Sequence, residues 1–548
     1  MTTAVSPDAL RGMLDDGGEL ALVDVREELI YSQGHLLLAR SAPLSRLELK
    51  FAGLVPRRTS RVVLCDGADG LAERAAAVLA RNGYSNLRIL AGGVAAWAAA
   101  EYELFTGVNV PSKAFGEFIE HEDGTPSIAA DELAQLIDKN ADLVILDSRP
   151  FDEYARISIP GATNVPGAEL VLRARELAAS PDTMVVVNCA GRTRSIIGAQ
   201  SLINAGLPNQ VVALRNGTMG WSLAGLTCDS GKGRRAPRVS REQLAWAKSA
   251  ARQVAQATAV AVIDRARLDA LRRDQERTLY VFDVRDPAEY EAGHIAGAIS
   301  APGGQLVQAT DQYIGTLGAR VVLVDDLEVR AAMTGSWLRQ MGFAEVFLLA
   351  EAGNETGWPA APVLAGEIRR EAAIDLKALV DLMSRNAVTV VDLSLSRNYL
   401  AGHIPRAWFA IRTRLAGALK KIPSENALVL TSEDGALAAL AVSEAEKLID
   451  RPVRFLHGGN AAWQAAGRPL STEAKMADEA VDQWRKPYER GGDAKAAMQE
   501  YLTWEVDLLP RIKRDGSLRF ERFRPRLAAK ARRDVPAYRP WSSSPHGI

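Results

Sequence analysis

The segment MVVVNCAGRTRSIIGAQSL contains the residues best suited to chemistry in this sequence, one cysteine and two arginines close together. Cys189 ends an apolar run, and Arg192 and Arg194 follow it before a helical pattern opens at Ser195. Where a strand passes into a helix in this way, backbone N–H groups converge and the helix presents its positive end. These groups and the arginine side chains favour a thiolate over a thiol. The segment is therefore predicted to stabilise a sulfur anion and to hold an anionic substrate.

The three cysteines of the chain have an alternative interpretation, because a free cysteine is usually a small buried core residue. For Cys189 the two following arginines argue against this alternative. For Cys65 we expect a structural role, since the acidic loop CDGADG that begins there disfavours a thiolate. Cys228 is either an incidental, partly exposed thiol, which the sequence favours, or a second thiol that resolves a disulfide or receives sulfur from Cys189.

Length and composition set the class of protein. The chain has 548 residues, 47% of them apolar and 24% charged, with a net charge of −1. These values are typical of a soluble protein of several domains, without the overall charge that attracts nucleic acid or a membrane surface. The segment MTTAVSPDALRGML does not resemble a signal peptide, and no apolar run reaches the ~18 residues of a membrane span. Since there are only three cysteines, we expect a reducing, cytoplasmic setting.

One pattern occurs four times along the chain. Each copy begins with an apolar run that ends in an aspartate, namely Asp24, Asp147, Asp283 and Asp392. Each copy ends with a glycine and a tryptophan, the tryptophans being Trp97, Trp221, Trp358 and Trp463. The aspartate and the tryptophan are 71 to 75 residues apart in all four copies, which predicts duplicated domains. We expect the aspartates to form buried pairs with a nearby arginine where one is present, and the tryptophans to anchor the cores.

Each copy is predicted to form an α/β domain. In the second copy, the runs ADLVILD, MVVVNC and QVVALR are continuously apolar, as in strands that are buried on both faces. The stretch SIIGAQSLINAG between the last two has helical spacing and ends in a glycine. Strands that alternate with helices form a parallel sheet covered by helices, and ligands bind at the carboxyl ends of such strands.

Four domains and a tail are predicted from these copies. The domains are expected at residues 1–106, 124–230, 241–363 and 370–475, with the polar, basic linker Ser230–Ser240 between the second and the third. Its arginines are interpreted as solvated charge rather than a nucleic-acid site. The tail, residues 476–548, is expected to be mainly helical, with a basic, proline-rich end.

An internal alignment indicates which domain is active. Counted back from the glycine that ends the helix, the position of Cys189 is taken by Asp66 in the first copy and Asp325 in the third. In the fourth copy the position falls at Ser432 or a neighbour. Only the second domain is therefore predicted to be catalytic, and domains 1, 3 and 4 are predicted to be inactive.

These motifs together resemble the rhodanese (thiosulfate sulfurtransferase) superfamily over roughly residues 1–475. The motifs that match are the aspartate with its arginine, the elements GHIAGA (Gly293–Ala298) and SIPGA (Ser158–Ala162), the cysteine loop and the terminal GGxxAW. The resemblance implies four tandem rhodanese-like domains, Cys189 as the catalytic residue that carries sulfur as a persulfide, and no metal or organic cofactor. It also implies a substrate-binding loop made of Ala190, Gly191, Arg192, Thr193, Arg194 and Ser195.

The implied reaction transfers sulfane sulfur from an anionic donor such as thiosulfate to a thiol or cyanide. The loop has six residues up to Arg194, as in sulfur-handling members of the superfamily, whereas relatives that handle phosphate or arsenate have one residue more. A cysteine phosphatase activity is therefore a weaker alternative. A second alternative is a non-catalytic scaffold or persulfide carrier for a partner protein, because three copies lack the cysteine. A homodimer is also left open.

Two positions depart from the pattern of the superfamily. The second copy has Ser158 where the others have His35, His294 and His403, and these histidines are expected to make structural hydrogen bonds. The fourth copy has Ser394 in place of the arginine after the aspartate, so its turn must be held differently. Met219 and Trp221 are candidates to line the pocket, although core packing is the favoured role for both.

Overall fold

The computed structural model describes residues 3–178, 180–359, 362–423 and 426–522. Each of the four copies, called repeats 1 to 4 below, forms its own sheet of parallel strands with helices around it. The α/β fold class and the fourfold repetition are thus confirmed. The basic, proline-rich end of the tail lies beyond residue 522, outside the described residues.

Repeat 1 and the helix that follows it open the chain. Their strands are β1 (Thr3–Val5), β2 (Leu20–Asp24), β3 (Arg40–Ser41), β4 (Val62–Cys65) and β5 (Leu87–Leu90). Their helices are α1 (Pro7–Asp15), α2 (Glu28–Gln33), α3 (Leu47–Leu54), α4 (Leu71–Arg81), α5 (Gly93–Ala99) and α6 (Val110–Asp123).

Repeat 2 contains the cysteine loop. Its strands are β6 (Ser127–Ile128), β7 (Leu143–Asp147), β8 (Thr163–Asn164), β9 (Met184–Asn188) and β10 (Val211–Leu214). Its helices are α7 (Ala130–Asp138), α8 (Phe151–Arg156), α9 (Leu170–Leu177), α10 (Thr193–Asn204) and α11 (Gly217–Leu223). The three apolar runs and the helical stretch that were predicted here correspond to β7, β9, β10 and α10.

Repeat 3 follows the helix α12 (Arg241–Ala257). Its strands are β11 (Ala261–Ile263), β12 (Leu279–Asp283), β13 (Ile299–Ser300), β14 (Thr316–Leu317), β15 (Arg320–Val324) and β16 (Val346–Leu349). Its helices are α13 (Arg265–Arg273), α14 (Pro287–Ala292), α15 (Gly303–Gln308), α16 (Thr310–Tyr313) and α17 (Val329–Gln340). Strand β14 lies outside the sheet of repeat 3 and pairs antiparallel with β2 of repeat 1.

Repeat 4 and a long C-terminal helix complete the chain. The strands are β17 (Ala373–Ile374), β18 (Val388–Asp392), β19 (Trp408–Phe409), β20 (Ala427–Thr431), β21 (Val453–Leu456) and β22 (Lys475–Met476). The helices are α18 (Leu376–Ser384), α19 (Ser396–Ala401), α20 (Leu415–Lys421), α21 (Ala436–Glu446), α22 (Gly459–Ala465) and α23 (Ala494–Asp515). Helix α23 confirms the helical character of the tail.

The five parallel strands that the repeats have in common follow the same order, which is β6-β10-β9-β7-β8 in repeat 2, and β14 and β22 are additional strands in the sheets of repeats 1 and 4. The central strands are continuously apolar because both of their faces are covered. Val185 and Val187 of β9 belong to one buried hydrophobic cluster, whereas Val186 between them belongs to another. Since successive side chains of a strand point to opposite faces, the two clusters lie on the two sides of the sheet.

The repeats associate within one chain. Contacts divide the chain into a first unit (residues 1–108, 315–317 and 360–486) and a second unit (residues 109–314, 318–359 and from 487 onward). The first unit therefore contains repeats 1 and 4. The second unit contains repeats 2 and 3, which share one hydrophobic cluster.

The buried aspartate–arginine pairs are present as predicted. In repeat 2 the Arg149 guanidinium donates to both carboxylate oxygens of Asp147, at 2.8 and 2.6 Å, and to the carbonyl of Ile157. In repeat 4, where the arginine is missing, the amide of Asn460 donates to Asp392 at 2.8 Å and to the Ser394 hydroxyl at 3.0 Å. An amide thus replaces the guanidinium as the donor to the strand-end carboxylate.

The histidines of the GH turns have the structural role that was expected. His35, His294 and His403 each place Nδ1 2.8–2.9 Å from a backbone carbonyl oxygen and stack on a tyrosine. The backbone of each histidine also bridges to the segment that closes its repeat. Ser158 makes the same bridge, to Asp229, with its backbone alone.

One prediction about the tryptophans is wrong. Trp97, Trp221 and Trp463 are buried, but Trp358 of repeat 3 is 57% exposed. In the other repeats a helix that starts at a glycine carries the tryptophan into the core. In repeat 3, Gly353 already lies against the carbonyl of His294, so the chain joins the GH turn immediately and forms no helix among described residues 350–359.

Replacing Arg149 by methionine is expected to destabilise repeat 2 by about 3–5 kcal/mol, because the Asp147 carboxylate would stay buried without its partner. Differential scanning calorimetry of the full chain would show this as a lower melting temperature. The matched control is Arg11→Met, which removes the more exposed pair with Asp15 and should cost at most about 1 kcal/mol. Equal effects of the two substitutions would contradict a structural role for the buried pair.

Candidate active site

Cys189 is the first residue after β9, four residues before α10 begins. The strand register shows which residues of the other repeats are equivalent to it. Asp147 is paired with Asn188 in repeat 2, as Asp24 is with Cys65, Asp283 with Val324 and Asp392 with Thr431 in the other repeats. The equivalents of Cys189 are therefore Asp66, Asp325 and Ser432, which confirms the internal alignment and places Cys65 one position earlier, inside its strand.

In repeats 1 and 3 the carboxylate at this position accepts hydrogen bonds from its own loop. Asp66 accepts from the backbone N–H groups of Ala68 and Ala72, both at 2.9 Å. Asp325 accepts from three backbone N–H groups at 2.7–3.2 Å, those of Leu327, Arg330 and Ala331. The loop is thus a cradle of N–H donors that surrounds a negative charge at its first residue.

In repeat 2 the same position holds the sulfur of Cys189, which is 2% exposed. Its thiol lies 3.5 Å from the Ser195 hydroxyl oxygen, and that hydroxyl donates to the carbonyl of Arg192 at 2.8 Å. Ser195 comes six residues after Cys189, just as Ala72 comes six residues after Asp66. The loop of repeat 2 therefore adds a hydroxyl to the cradle at a position where repeat 1 has only a backbone donor.

The start of α11 holds the loop closed. The Thr218 N–H and hydroxyl both donate to the Cys189 carbonyl, at 2.8 and 2.9 Å, and the Met219 N–H donates to Ala190 at 3.0 Å. This approach requires a glycine before Thr218. Gly217 has a φ of +54°, and a Cβ atom there would lie 2.3 Å from the carbonyl oxygen of Cys189.

The two loop arginines have different surroundings. Arg192 is turned towards α6, where its guanidinium donates to Glu117 at 2.7 and 2.8 Å and also contacts Glu120. Arg194 donates to Glu153 at 2.9 Å and to Gln305 of repeat 3 at 3.0 Å. Burial opposes the charge of Arg194, but Glu153 and then Cys189 raise the pKa of its guanidinium above the ordinary value. Arg194 is thus the loop arginine whose charge interacts with Cys189.

The other two cysteines have surroundings that suit structural roles. The Cys65 thiol is fully buried and donates to the Val23 carbonyl at 3.6 Å. Burial, and next the Asp24 carboxylate, raise the pKa of Cys65 well above its ordinary value, so this residue is unsuited to form a thiolate. Cys228 is partly buried, its pKa is raised by burial, and it packs against the cluster that contains Trp221. All three cysteines are free thiols.

Sequence reasoning missed the residues that approach the loop from outside the repeats. Glu505 and Tyr501 of α23 lie beside Gly191, and Lys113 of α6 pairs with Glu505 at 2.9 Å. None of these three residues belongs to a repeated motif. For Glu505 and Tyr501, the only signal in the sequence was the helical pattern of the tail. Met219 and Trp221 were both candidates to line the pocket. Met219 lies beside Gly191 of the loop, whereas Trp221 packs in the core.

Comparison with known protein families agrees with this geometry. A family model described as "Rhodanese-like domain" matches residues 6–100, 129–224, 265–354 and 375–466. The chain belongs to the rhodanese-like family. A crystal structure of thiosulfate sulfurtransferase from Pseudomonas aeruginosa is similar to it, with 46% identity, a TM-score of 0.91 and coverage of 95% of this chain and all of that one.

Two curated proteins match single parts of this rhodanese-like chain. An HTH-type transcriptional regulator of Mycobacterium tuberculosis is 36% identical over 90 residues, which are 16% of this chain and 39% of the regulator. The chain therefore spans about two fifths of the length of that relative. A candidate sulfur carrier protein of Bacillus subtilis, YrkF, is 25% identical over 135 residues, which are 23% of this chain and 71% of that protein.

Membrane-spanning helices and clusters of metal-binding side chains are both absent from the described residues. Among residues 3–178, 180–359, 362–423 and 426–522, no helix is both long and apolar enough to cross a membrane. The same residues contain no group of three histidine, cysteine, aspartate or glutamate side chains that could hold a metal ion.

Replacing Gly217 by alanine is expected to destabilise repeat 2 by about 2–4 kcal/mol, since it adds a clash with the loop to the strain of a left-handed backbone. The melting temperature of the full chain measures the effect. Gly225→Ala is the matched control, because Gly225 has a φ of +77° with open space around it, and this change should cost about 1 kcal/mol. If the two variants have the same melting temperature, the close approach of Gly217 to the Cys189 carbonyl does not constrain the loop.

Proposed function

We propose that this protein is a sulfurtransferase that moves sulfane sulfur from an anionic donor such as thiosulfate to a thiol or cyanide through a persulfide on Cys189. The observation that carries the proposal is that Cys189 occupies the position at which repeats 1 and 3 surround a carboxylate with backbone N–H donors. Asp66 and Asp325 fill it with a carboxylate in repeats 1 and 3, and repeat 2 presents a thiol there instead. The overall similarity to a thiosulfate sulfurtransferase supports the same reaction.

The cradle favours the charged forms of sulfur that the reaction requires. A neutral thiol is a weak hydrogen-bond acceptor, so the N–H donors of the loop are better satisfied by a thiolate or a persulfide anion. The positive charge of Arg194 close to Cys189 attracts an anionic sulfur donor. We propose that Ser195 assists by turning its hydroxyl from the Arg192 carbonyl towards the sulfur when the sulfur is an anion.

The proposed reaction has two displacement steps. In the first step, the Cys189 thiolate attacks the outer sulfur of thiosulfate, the new S–S bond forms, and the donor S–S bond breaks so that sulfite leaves with its electron pair. In the second step, an acceptor thiolate or cyanide attacks the outer sulfur of the persulfide. That S–S bond breaks, the product carries the sulfur away, and the Cys189 thiolate is restored.

The repeats without the cysteine are proposed to be inactive, because their cradles are already filled. The carboxylates of Asp66 and Asp325 take up the loop donors, and a carboxylate oxygen has no bond that could exchange sulfur. In repeat 4 the Ser432 hydroxyl accepts from the Ala438 N–H at 3.3 Å. A serine lacks the readily ionised, polarizable sulfur of a cysteine.

A persulfide carrier for a partner protein is the second candidate function. The partial similarity to a candidate sulfur carrier protein favours it. The burial of Cys189 argues for a small acceptor, since a thiol on the surface of another protein would have to reach a sulfur that is 2% exposed. A reducing setting such as the cytoplasm would suit either function, because it preserves the free thiols.

Incubation of the intact protein with thiosulfate is expected to add one sulfur, ~32 Da, to Cys189, and mass spectrometry measures the gain. Cys189→Ser should gain nothing because the nucleophile is gone. The matched control, Cys65→Ser, should gain the same mass as the wild type. A gain that survives in Cys189→Ser would assign the chemistry to another residue and would overturn the proposal.

Turnover separates an enzyme from a carrier. With thiosulfate and cyanide in excess, we expect thiocyanate to form over many cycles with ping-pong kinetics, since each half-reaction releases a product before the next substrate binds. The thiocyanate concentration, followed colorimetrically, gives the rate. Formation of no more than one equivalent per protein would favour the carrier function.

A further inference from the structure

Two helices outside the family matches lie directly against the loop of Cys189. Helix α6 precedes repeat 2, and α23 follows the last matched residue, 466. A Cβ atom at Gly116 of α6 would lie 3.0 Å from the Cα atom of Thr193, so this helix touches the loop backbone. Since α23 comes after repeat 4 and is not part of the repeated pattern, its contact with the loop is a feature of repeat 2.

Glu505 is the central residue of this contact. It is completely buried on α23, where a carboxylate is costly unless it is paired. Its Oε1 lies 2.9 Å from Lys113 Nζ of α6 and accepts from the Tyr501 hydroxyl at 3.1 Å and from the Thr193 hydroxyl at 3.4 Å. One carboxylate thus joins α6, α23 and the fifth residue of the loop.

The second oxygen of Glu505 faces the third residue of the loop. Oε2 is buried without a hydrogen-bond partner among the described residues, and it lies 3.3 Å from the position that a Cβ atom on Gly191 would take. Met219 and Tyr501 occupy the rest of that space, at 2.9 and 3.8 Å. Gly191 therefore allows α23 to approach the loop backbone, with a buried carboxylate oxygen directed at it.

The charges around the loop are coupled. Arg192 pairs with Glu117 and Glu120 on α6, one helical turn or two from Lys113. Burial is the main cause that raises the pKa of Glu117, Arg192 lowers it, and Glu120 and then Glu505 raise it further. Two groups of ion pairs thus lie against the loop from outside, Lys113 with Glu505 and Arg192 with Glu117 and Glu120.

We propose that Glu505 is a positioning residue for sulfur transfer: held by Lys113 and Tyr501, it fixes Gly191 and Thr193, and with them the loop that carries Cys189. This inference rests on the proposed function of the cysteine. It assigns the C-terminal helix to the active site of repeat 2. In repeats 1 and 3 the loop N–H groups are held by the carboxylate of its first residue, Asp66 or Asp325. In repeat 2 that residue is Cys189, and Glu505 supports the loop from outside instead.

The test compares the rate of persulfide formation in Glu505→Gln and in the wild-type full chain. Glutamine keeps the shape but leaves Lys113 buried without its counter-charge, so the loop should shift. The rate constant at saturating thiosulfate, from quenched mixing and intact-mass measurement, is expected to fall about tenfold. In the double variant Lys113→Gln with Glu505→Gln, part of that loss should be recovered, because both buried charges are removed together.

Glu48→Gln is the matched control for loss of stability. Glu48 forms a buried pair with Arg412 in the first unit, at 2.8 and 2.9 Å. This variant should also lower the melting temperature, although Arg412 keeps its second partner Glu444, while its rate constant should stay within about twofold of the wild type. Tyr501→Phe is a milder change, which removes one hydrogen bond of Glu505 and should slow persulfide formation about threefold. It keeps the test valid if Glu505→Gln does not fold.

Two results would overturn the positioning role. One is a Glu505→Gln variant that forms the persulfide at the wild-type rate, or, if that variant does not fold, a Tyr501→Phe variant that does so. The other is a Glu48→Gln variant that slows persulfide formation as much as Glu505→Gln does, because the loss would then follow general stability. Failure of the proposed function is recognised separately, since the wild-type protein itself would then gain no sulfur.

Discussion

Several backbone N–H groups pointing at one position create a local positive potential that requires an acceptor. In each repeat, the residue that supplies the acceptor is the one that directly follows β4, β9, β15 or β20. Asp66 and Asp325 supply a carboxylate, Ser432 a hydroxyl, and Cys189 a sulfur atom. The residue at this one position therefore differs in chemistry among the four repeats, and only repeat 2 has a thiol there.

The pairing of repeats 2 and 3 depends on the same loops. Arg194, five residues after Cys189, donates to Gln305 of repeat 3, and Arg330, five residues after Asp325, donates to Glu169 of repeat 2. Arg194 and Arg330 occupy equivalent positions in their repeats, so the same kind of contact is made once from repeat 2 to repeat 3 and once from repeat 3 to repeat 2. Repeat 3 supplies a neutral amide to Arg194, whereas repeat 2 supplies a carboxylate to Arg330. Across this contact Arg194 therefore meets a neutral acceptor, while its carboxylate partner, Glu153, belongs to its own repeat.

The loop of Cys189 is held by contacts from its own repeat and by contacts from outside the repeats. Thr218 and Gly217 belong to repeat 2, and their counterparts in repeat 1, Val94 and Gly93, make the same approach to the carbonyl of Asp66. The contact with Glu505 comes from a helix outside the repeats. The repeat thus supplies Gly217 and Thr218, and two helices outside the family matches, α6 and α23, supply the charged side chains that lie against the loop.

The sequence alone determined the four parallel sheets, the aspartate–arginine pairs and the equivalence of Cys189 with Asp66, because apolar runs, glycine stops and strand ends are local signals. It misplaced Trp358, since a shortened connection at Gly353 replaced the helix that the glycine–tryptophan pattern predicts. Only the tertiary structure decided that α23 reaches the loop. Thr193 and Glu505 are 312 residues apart, and their contact results from the packing of α23 on α6, which no local pattern encodes.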